Sequence, residues 1–174
     1  MAISIRQATA QDAESLAALE VTSWRVAYRG LMPDTFLDGL SAAEKAMGLR
    51  RNLQKHGLSG RKRVLVARHE DEVLGFVRFG AEEGAQIGTL YLLYVRADVW
   101  GCGVGTALMQ AAMVGFVELG VREAVLWVLR DNQRARRFYE RGGWRPDGQT
   151  ARADYGGIDL KALCYRRLID QDTG

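Results

Sequence analysis

The segment from Trp100 to Gly105 contains three glycines, and it stands where an apolar run at 90–95 gives way to a helical pattern. Glycine has no Cβ, so it adopts backbone angles that other residues avoid and lets its N–H groups approach a bulky ligand. The helix that begins here adds N–H groups without intrahelical partners and the positive end of a dipole. A strand, such a loop and a helix in succession predict a phosphate cradle.

The spacing of these glycines excludes three known phosphate-binding loops. A dinucleotide fingerprint, G-x-G-x-x-G, that begins at Gly101 requires a third glycine at position 106, where the chain has Thr106. A protein-kinase glycine loop has the same spacing and fails at the same position. A P-loop requires a lysine, and none occurs between positions 63 and 160. On these residues alone, an ordinary glycine-rich turn stays open as an interpretation.

Length and composition are typical of one soluble domain. The chain has 174 residues, of which 48% are hydrophobic and 26% charged, and it is long enough to bury a core. No apolar run approaches the roughly 20 residues that span a bilayer, and residues 1–9 lack the apolar region of a signal peptide. We therefore expect a single domain over residues 1–174, a cytoplasmic location and no membrane partner.

The few cysteines and histidines argue against a bound metal. Cys102 and Cys164 lie far apart, and the only histidines are His56 and His69. This spacing differs from that of a zinc site, so we expect no metal and two reduced thiols. Cys102 lies in the glycine loop, where a redox role is conceivable, but no neighbouring residue marks it as a nucleophile.

The net charge of +3 is too small to indicate nucleic-acid binding, which requires a basic stripe. Arginines are concentrated instead in the segment that follows the predicted strand at 124–129. Either some of them meet the phosphates of a nucleotide cofactor, or they form a solvated helix face. These arginines are Arg130, Arg134, Arg136, Arg137, Arg141 and Arg145.

The hydrophobic pattern predicts strands and helices in a definite order. Alternating residues at 3–6 are typical of a strand, and Thr9 with Asp12 is typical of a helix start, as is the capping box of Ser41 and Glu44. The later predicted elements are strands at 64–67, 73–77 and 87–95, a helix at 104–119, a strand at 124–129, a helix at 132–141, a strand from Trp144, a polar turn-rich segment at 147–159 and a strand at 160–169. We expect no internal repeat or linker.

Two motifs and the order of elements resemble the GCN5-related N-acetyltransferase family. The family's acetyl-coenzyme A loop has the form Gln/Arg-x-x-Gly-x-Gly/Ala, and Gly103-Val104-Gly105 matches its core. Asn132-x-x-Ala135-x-x-Phe138-Tyr139, followed by Gly142-Gly143-Trp144, is similar to a helix and turn of the family. Residues 24–33 also resemble a first-helix segment of one bacterial branch. The resemblance covers nearly the whole chain.

The resemblance implies the acyl-CoA N-acyltransferase fold, of the α/β class in its α+β form. Its sheet is mixed but mostly antiparallel, has seven strands and is flanked by about four helices. Two central parallel strands are splayed, and the strand before the glycine loop is bulged. By position these strands are residues 90–95 and 124–129, so we expect a V-shaped gap between them.

The resemblance also implies acetyl-CoA as the cosubstrate. Its diphosphate is expected on the N–H groups of residues 101–106, and its pantetheine arm on unpaired backbone groups of the preceding strand. Trp100 stands where the family has Gln or Arg, so that side-chain contact to the diphosphate is not expected. The residues expected to bind the cofactor are Leu93, Tyr94, Val95, Trp100, Gly101, Cys102, Gly103, Val104, Gly105, Thr106, Asn132, Ala135 and Phe138.

For catalysis, the resemblance implies Tyr139 as the general acid. When an amine attacks the thioester, coenzyme A leaves as a thiolate, and a phenol within hydrogen-bonding reach can protonate the sulfur. The other interpretation of Tyr139 is an aromatic residue of the core.

The sequence does not identify the base that deprotonates the amine. Many relatives have a glutamate where this chain has Thr89, and threonine is not a base. Glu82 and Glu83 lie in the preceding turn, where they either act through water or are solvated. Trp24 and Tyr28 are four residues apart, so they either wall the groove for the acceptor amine or belong to the core.

The leading hypothesis is an enzyme that transfers an acetyl group from acetyl-CoA to a primary amine of a small molecule, peptide or protein, by direct attack in a ternary complex. A non-catalytic acyl-CoA-binding or sensor module of the same fold is the first alternative, because the glutamate is missing. A nucleotide-binding oxidoreductase is the second. Dimers are common in the family, so a homodimer is compatible with the resemblance, and the acceptor amine is not identified.

Overall fold

Apolar runs along the chain form seven strands of one sheet in this computed structural model, which describes residues 2–56, 60–155 and 157–170. The strands lie side by side in the order β1-β2-β3-β4-β5-β7-β6. Neighbouring strands are antiparallel except β4 and β5, which are parallel. The strands are β1 (Ser4–Gln7), β2 (Lys62–His69), β3 (Glu72–Gly80), β4 (Ile87–Val95), β5 (Glu123–Leu129), β6 (Arg145–Tyr155) and β7 (Ile158–Leu168).

Within the described ranges, five α-helices accompany the sheet, one more than the four predicted from the sequence. They are α1 (Ala13–Ala27), α2 (Asp34–Asp38), α3 (Ala42–His56), α4 (Val104–Glu118) and α5 (Gln133–Arg141), and short 3-10 helices precede α1 at Ala10–Asp12 and α4 at Ala97–Val99. The additional helix, α2, is a single turn after Pro33. The guanidinium of Arg25 holds it by donating to the carbonyls of Leu37 and Leu40, at 3.0 and 3.2 Å. A turn this short has too few apolar positions for a helical period, so the sequence does not predict it.

Each face of the sheet has its own buried cluster. On one face, Leu16 and Leu19 of α1 pack against Val66 and Phe76 of the sheet. On the other face, the apolar stripe of α4 that contains Leu108 packs against residues of β2, β3 and β5. Tyr139 of α5 and Trp144, which follows α5, belong to the same cluster. The strands that lie between α1 and α4 are therefore covered on both faces, which explains the long apolar runs of β3 and β4.

Strands β4 and β5 separate after a short parallel contact. They pair only at Ile87, Gly88 and Thr89, opposite residues 123–125. Two residues further along, β4 is bulged: Arg78 faces Leu92 and Phe79 faces Leu90, so Tyr91 has no partner in β3. The expected bulge and the expected V-shaped gap between the two central strands are both confirmed.

The hairpin of β6 and β7 is longer than predicted, since most of the segment expected to be polar and turn-rich is paired strand, at residues 150–155 and 158–159. A register shift between Pro146 and Thr150 absorbs the residues Asp147, Gly148 and Gln149, after which pairing continues to Tyr155 and Ile158. This end of the hairpin is largely exposed, so it accepts polar side chains, and Arg152 pairs with Asp159 across it. Strands are predicted from the alternation of polar and apolar residues. Where both faces of a hairpin are exposed to water, this alternation is absent, so the sequence does not predict these strands.

Two negative observations hold for the described ranges. None of the helices in them combines the length and the apolar character needed to cross a membrane. No three His, Cys, Asp or Glu side chains there are grouped in the manner of a metal site.

Candidate active site

The glycine loop turns the chain from β4 into α4 with two left-handed residues. Gly101 and Gly103 have φ angles of +81° and +85°, in a region that strains any residue with a side chain. Gly103 is the N-cap of α4, and its carbonyl accepts the first helical hydrogen bond from the Ala107 N–H at 2.9 Å. The first N–H groups of the helix therefore point back into the loop without partners.

The loop presents a set of free backbone donors. Among the hydrogen bonds of the described residues, no acceptor is found for the N–H groups of Gly101, Gly103, Val104, Gly105 and Thr106. The Cys102 N–H is bonded instead to the Val99 carbonyl at 3.3 Å, so it is not available to an anion. These five N–H groups lie at the positive end of a 15-residue helix, which makes the loop a candidate anion site.

Helix α5 closes the loop from the other side. A Cβ at Gly105 would lie 3.3 Å from the ring of Phe138, so the absence of a side chain lets the two helices approach closely. The Asn132 side chain caps α5 by accepting a hydrogen bond from the Ala135 N–H at 3.1 Å. This cap fixes the first turn of α5, where Ala135 faces the gap between β4 and β5.

Backbone groups of β4 line the gap at alternate residues. The Arg96 N–H donates to the Leu74 carbonyl of β3 at 2.9 Å. In an antiparallel ladder the direction of these groups alternates, so Tyr94 also bonds to β3, whereas Leu93 presents its N–H and C=O groups to the gap and Val95 presents its N–H. The Val95 carbonyl accepts a hydrogen bond from the Trp100 indole. Tyr94 therefore contributes to the site through its side chain, and Leu93 and Val95 contribute through the backbone.

Two adjoining cavities occupy the gap. One, of about 350 Å³, extends from α1 to the facing edges of β4 and β5. The other, of about 420 Å³, lies between the glycine loop and α5. Both are lined by Leu93, Val95, Trp100, Arg134, Ala135 and Tyr139. A long ligand that lies in the two cavities would thus extend from the anion site to the N-terminal helices.

Tyr139 lies at the junction of these cavities. Its ring packs against Phe138 and Trp144, with centroids 5.4 and 6.4 Å away, and 9% of the residue is exposed. Burial raises the pKa of the phenol well above its ordinary value, and a nearby tyrosine, Tyr28, adds to the effect. Tyr139 is therefore a core residue and a cavity residue at once, and it keeps its proton.

Trp100 and Arg134 stack at the edge of the loop. The indole N–H of Trp100 donates to the Val95 carbonyl at 2.8 Å, which fixes the ring at the end of β4. The guanidinium of Arg134 lies over the face of that ring. Partial desolvation lowers the pKa of Arg134, although the residue as a whole is exposed.

The α1 side of the site is aromatic. The indole N–H of Trp24 donates to the Tyr94 hydroxyl at 2.6 Å, and Tyr28 packs edge-on against Trp24 at 5.0 Å. Burial raises the pKa of Tyr94, so its phenol also stays protonated. Ser23 is 5% exposed and lines the same cavity, and its hydroxyl has no partner within the described part of the chain. Trp24 and Tyr28 thus line the cavity on the side remote from the glycine loop.

The candidate bases do not lie in the cavities. Glu82 and Glu83 have side chains that are 75% and 92% exposed, and they pair with Lys62 at 2.7 Å and Arg61 at 3.8 Å. Thr89 forms the last parallel pair of β4 with β5. The geometry favours the solvated interpretation of both glutamates, and among the described residues no carboxylate lines either cavity.

Most of the predicted site residues line one or both cavities. The two that do not are Cys102, whose side chain is exposed outside the loop, and Val104, which is 1% exposed in the core. The structure adds Arg134, Ser23, Tyr91 and Trp127 to the lining. The arginine cluster was a signal for the first of these. The other three carry no local pattern, because they come together only through the packing of α1, β4 and β5, which are far apart in the chain.

Comparison with known proteins identifies the family. The sequence profile of the Acetyltransferase (GNAT) family matches residues 14–144. An uncharacterized N-acetyltransferase, YuaI of Bacillus subtilis, is 28% identical over 134 residues, which is 75% of this chain and 73% of that protein. The mycothiol acetyltransferase of Propionibacterium freudenreichii is 40% identical over 84 residues, but this segment is 47% of the chain and 27% of that protein. A relative from Archaeoglobus fulgidus is matched over 55% of its length.

Solved structures share the fold over the whole chain. The PaiA N-acetyltransferase of Thermoplasma acidophilum, in complex with coenzyme A, has a TM-score of 0.81 and 21% identity, covering 97% of this chain and 99% of that one. An acetyltransferase of the GNAT family from Streptococcus pneumoniae has a TM-score of 0.71 and 25% identity, with 97% and 100% coverage. The profile match covers well over half of the chain, and the seven-stranded sheet with its splayed strands agrees with it. The chain therefore belongs to the acetyltransferase (GNAT) family of enzymes.

Proposed function

We propose that the chain transfers an acetyl group from acetyl-CoA to a primary amine, by direct attack of the amine on the thioester while both substrates are bound. One observation carries the proposal. The gap between β4 and β5 connects five free N–H groups at the start of α4 with a buried, protonated Tyr139 and with an aromatic chamber beside α1. A relative in complex with coenzyme A shares this fold, which supports the same cosubstrate.

The proposed binding mode follows from unpaired backbone groups. The diphosphate of acetyl-CoA accepts hydrogen bonds from the loop N–H groups, which are stronger because the acceptor is charged. The pantetheine amides pair with the groups that Leu93 and Val95 present to the gap, as an added strand would. The thioester then lies near Tyr139, and the acceptor amine enters beside Trp24 and Tyr28.

The proposed reaction requires two proton transfers. The nitrogen of the neutral amine attacks the thioester carbonyl, and the carbon–sulfur bond breaks as the new amide forms. The Tyr139 hydroxyl donates its proton to the departing sulfur, and the amine loses its proton to water at the open end of the cavity. With a pKa no lower than that of an ordinary phenol, Tyr139 is protonated at neutral pH and has a proton to donate to the departing thiolate.

The test compares Tyr139→Phe with the wild type. Loss of a general acid is expected to lower turnover by about a hundredfold or more, with coenzyme A affinity unchanged, in an assay that detects released thiol over a panel of amines. Tyr165→Phe is the control, because Tyr165 is also buried but bonds to Glu140 at 2.7 Å and lines neither cavity. It is expected to keep its turnover.

Other results would count against the proposal. Full activity in Tyr139→Phe would remove Tyr139 from the mechanism. Binding of coenzyme A by calorimetry, with no amine acetylated over a broad panel, would favour a non-catalytic acyl-CoA-binding module. Binding of NAD alone would overturn the acetyltransferase proposal. A cytoplasmic location and a homodimer stay predictions.

A further inference from the structure

The guanidinium of Arg134 contacts the ring of Trp100 but pairs with no anion in the described part of the chain. Among the described residues, no carboxylate lies within ion-pair distance of it, and no hydrogen bond from its guanidinium is found. Its neighbours in the arginine cluster are engaged: Arg130 pairs with Asp131, and Arg136 donates to the Tyr165 hydroxyl and the Arg130 carbonyl, both at 3.0 Å. Arg134 is exposed, and its guanidinium is therefore accessible to a negatively charged ligand that enters the cavities it lines.

The position of Arg134 points to the ligand's phosphates. It is in the first turn of α5, lines both cavities, and shares the second cavity with Trp100 and the glycine loop. Backbone N–H groups and a helix dipole supply partial charges, whereas a diphosphate carries more than one full negative charge. A guanidinium beside the loop supplies a full positive charge and a planar pair of donors that match phosphate oxygens.

Trp100 holds this guanidinium in place. Its ring is fixed by the hydrogen bond to the Val95 carbonyl, and it offers a flat face on which the guanidinium stacks. Stacking restricts a long, flexible side chain before the ligand arrives, which reduces the entropy lost on binding. A tryptophan at this position therefore acts as a support for a cation that comes from another element.

We propose that Arg134, supported by Trp100, binds the diphosphate of coenzyme A together with the glycine loop. The inference rests on the proposed function, since it assigns the cosubstrate's phosphates to this loop. It divides the anion site between two elements: α4 supplies N–H groups and α5 supplies the charge. Trp100 and Arg134 then act as a unit, and changing either weakens the same contact.

The test measures binding of three probes by calorimetry. Coenzyme A carries both phosphate groups, dephospho-coenzyme A lacks the 3′-phosphate, and pantetheine lacks all phosphates. Arg134→Gln is expected to lower the affinity for coenzyme A and for dephospho-coenzyme A by about tenfold or more. The affinity for pantetheine, measured by competition, is expected to stay unchanged. Arg134→Lys keeps the positive charge but not the planar pair of donors, so it is expected to lower the affinity for coenzyme A by less than Arg134→Gln does.

Matched variants make the result specific. Arg137→Gln is the control, because Arg137 is an exposed arginine of the same helix that lines neither cavity of the site. Arg141→Gln tests the other arginine that lines the loop cavity. Trp100→Ala is expected to weaken coenzyme A binding, and in the double variant with Arg134→Gln the two losses are expected to be less than additive.

Four outcomes would overturn the inference. They are an unchanged affinity in Arg134→Gln, a loss seen with coenzyme A but not with dephospho-coenzyme A, an equal loss with pantetheine, and a loss confined to Arg141→Gln. In each case the wild type still binds coenzyme A, so the proposed function stands. A wild type that fails to bind coenzyme A would instead overturn both.

Discussion

Asp12 shows how one carboxylate joins two elements at the start of the fold. It accepts a bidentate pair from Arg6 of β1, at 2.7 and 2.8 Å, and also bonds to the Thr9 N–H at 2.7 Å, as in a capping box. Its side chain is 6% exposed. The bond from Arg6 is the main cause that lowers the pKa of Asp12 to about 2, and the bonds from Thr9 act in the same direction. The pair Thr9 and Asp12 therefore predicts the helix start correctly.

The first prediction concerns stability and pH. The folded pKa of Asp12 lies below its unfolded value of about 4, so its stabilising contribution is fully present above pH 4 and is lost as the pH falls towards 2. Asp12→Asn is expected to lower the unfolding free energy at neutral pH by about 1–2 kcal/mol, reduced from the full linkage value because Arg6 is partly exposed. Urea unfolding at several pH values measures this difference.

The Asp12 prediction has an internal control. Asp34 pairs with Arg29 at 2.9 Å on the surface, with both side chains about half exposed or more. Asp34→Asn is expected to change stability little, because water screens such pairs. A difference between Asp12→Asn and the wild type that persisted undiminished at pH 2 would show that the charge of Asp12 is not the cause.

The second prediction concerns the raised pKa of Tyr139. Because its pKa lies above the ordinary value of about 10, the phenol stays protonated throughout the neutral and moderately alkaline range. The ratio of turnover in the wild type to that in Tyr139→Phe is therefore expected to stay constant between about pH 6 and 9. Steady-state rates of both proteins over this range check it. A ratio that decreased with rising pH in this range would show that Tyr139 loses its proton there.

Helix α4 reaches the sheet closely because it carries small residues on its buried stripe. A Cβ at Gly115 would overlap the ring of Phe79, and one at Gly88 of β4 would overlap the ring of Phe116. The two phenylalanines are themselves packed edge-on at 5.1 Å. Glycine is a poor helix former, so its presence in the middle of α4 has a packing reason. Close packing of α4 sets the distance of its N-terminus from β4, and so the width of the anion site.

The third prediction is a pair of glycine substitutions. Gly115→Ala is expected to destabilise the protein by about 1–2 kcal/mol, because the clash with Phe79 outweighs the gain in helix propensity. In Gly48→Ala, in exposed α3, the added methyl group meets no atom within 4 Å. That variant is expected to be more stable by up to about 1 kcal/mol. Thermal unfolding of both variants tests the idea, and a stabilising Gly115→Ala would contradict it.

The whole molecule consists of two parts of one sheet that meet at a narrow contact. Between β4 and β5, three residue pairs join the strands β1–β4 to the strands β5–β7. Beyond Thr89, the two cavities lie between the two parts. A cosubstrate in this gap would supply the hydrogen bonds that the missing pairs do not make. Binding is thus expected to stabilise the molecule as a whole.

The fourth prediction is a pattern of hydrogen exchange. Addition of coenzyme A at about a hundredfold excess over its Kd should raise the unfolding free energy by about 2.7 kcal/mol. Above this general effect, the N–H groups of Leu93, Val95, Gly103 and Gly105 should gain extra protection, because they are the free donors of the gap and the loop. The exposed end of the β6–β7 hairpin provides the comparison. Extra protection there, and none in the loop, would exclude the proposed binding mode.

Much of the fold follows from local pattern. The strand-to-helix junction at the glycine loop, the Asn132 cap and the order of elements all depend on residues close together in the chain, so short-range chemistry fixes them. The short α2 and the full length of the β6–β7 hairpin were not predicted, because they do not depend on local pattern. Their stability comes from Arg25 and from cross-strand pairing, which no local period reveals.

The sequence by itself determined the family, and it predicts the glycine loop as the anion site and Tyr139 as the general acid, because these depend on residue types at fixed short spacings. The tertiary structure alone decided that Tyr94 faces β3 with its backbone, that Cys102 and Val104 lie outside the cavities, and that Arg134 stacks on Trp100. Each of these depends on how β4, α4 and α5 meet. Contacts between distant segments are set by packing of the whole sheet, and packing is a property that no single stretch of sequence carries.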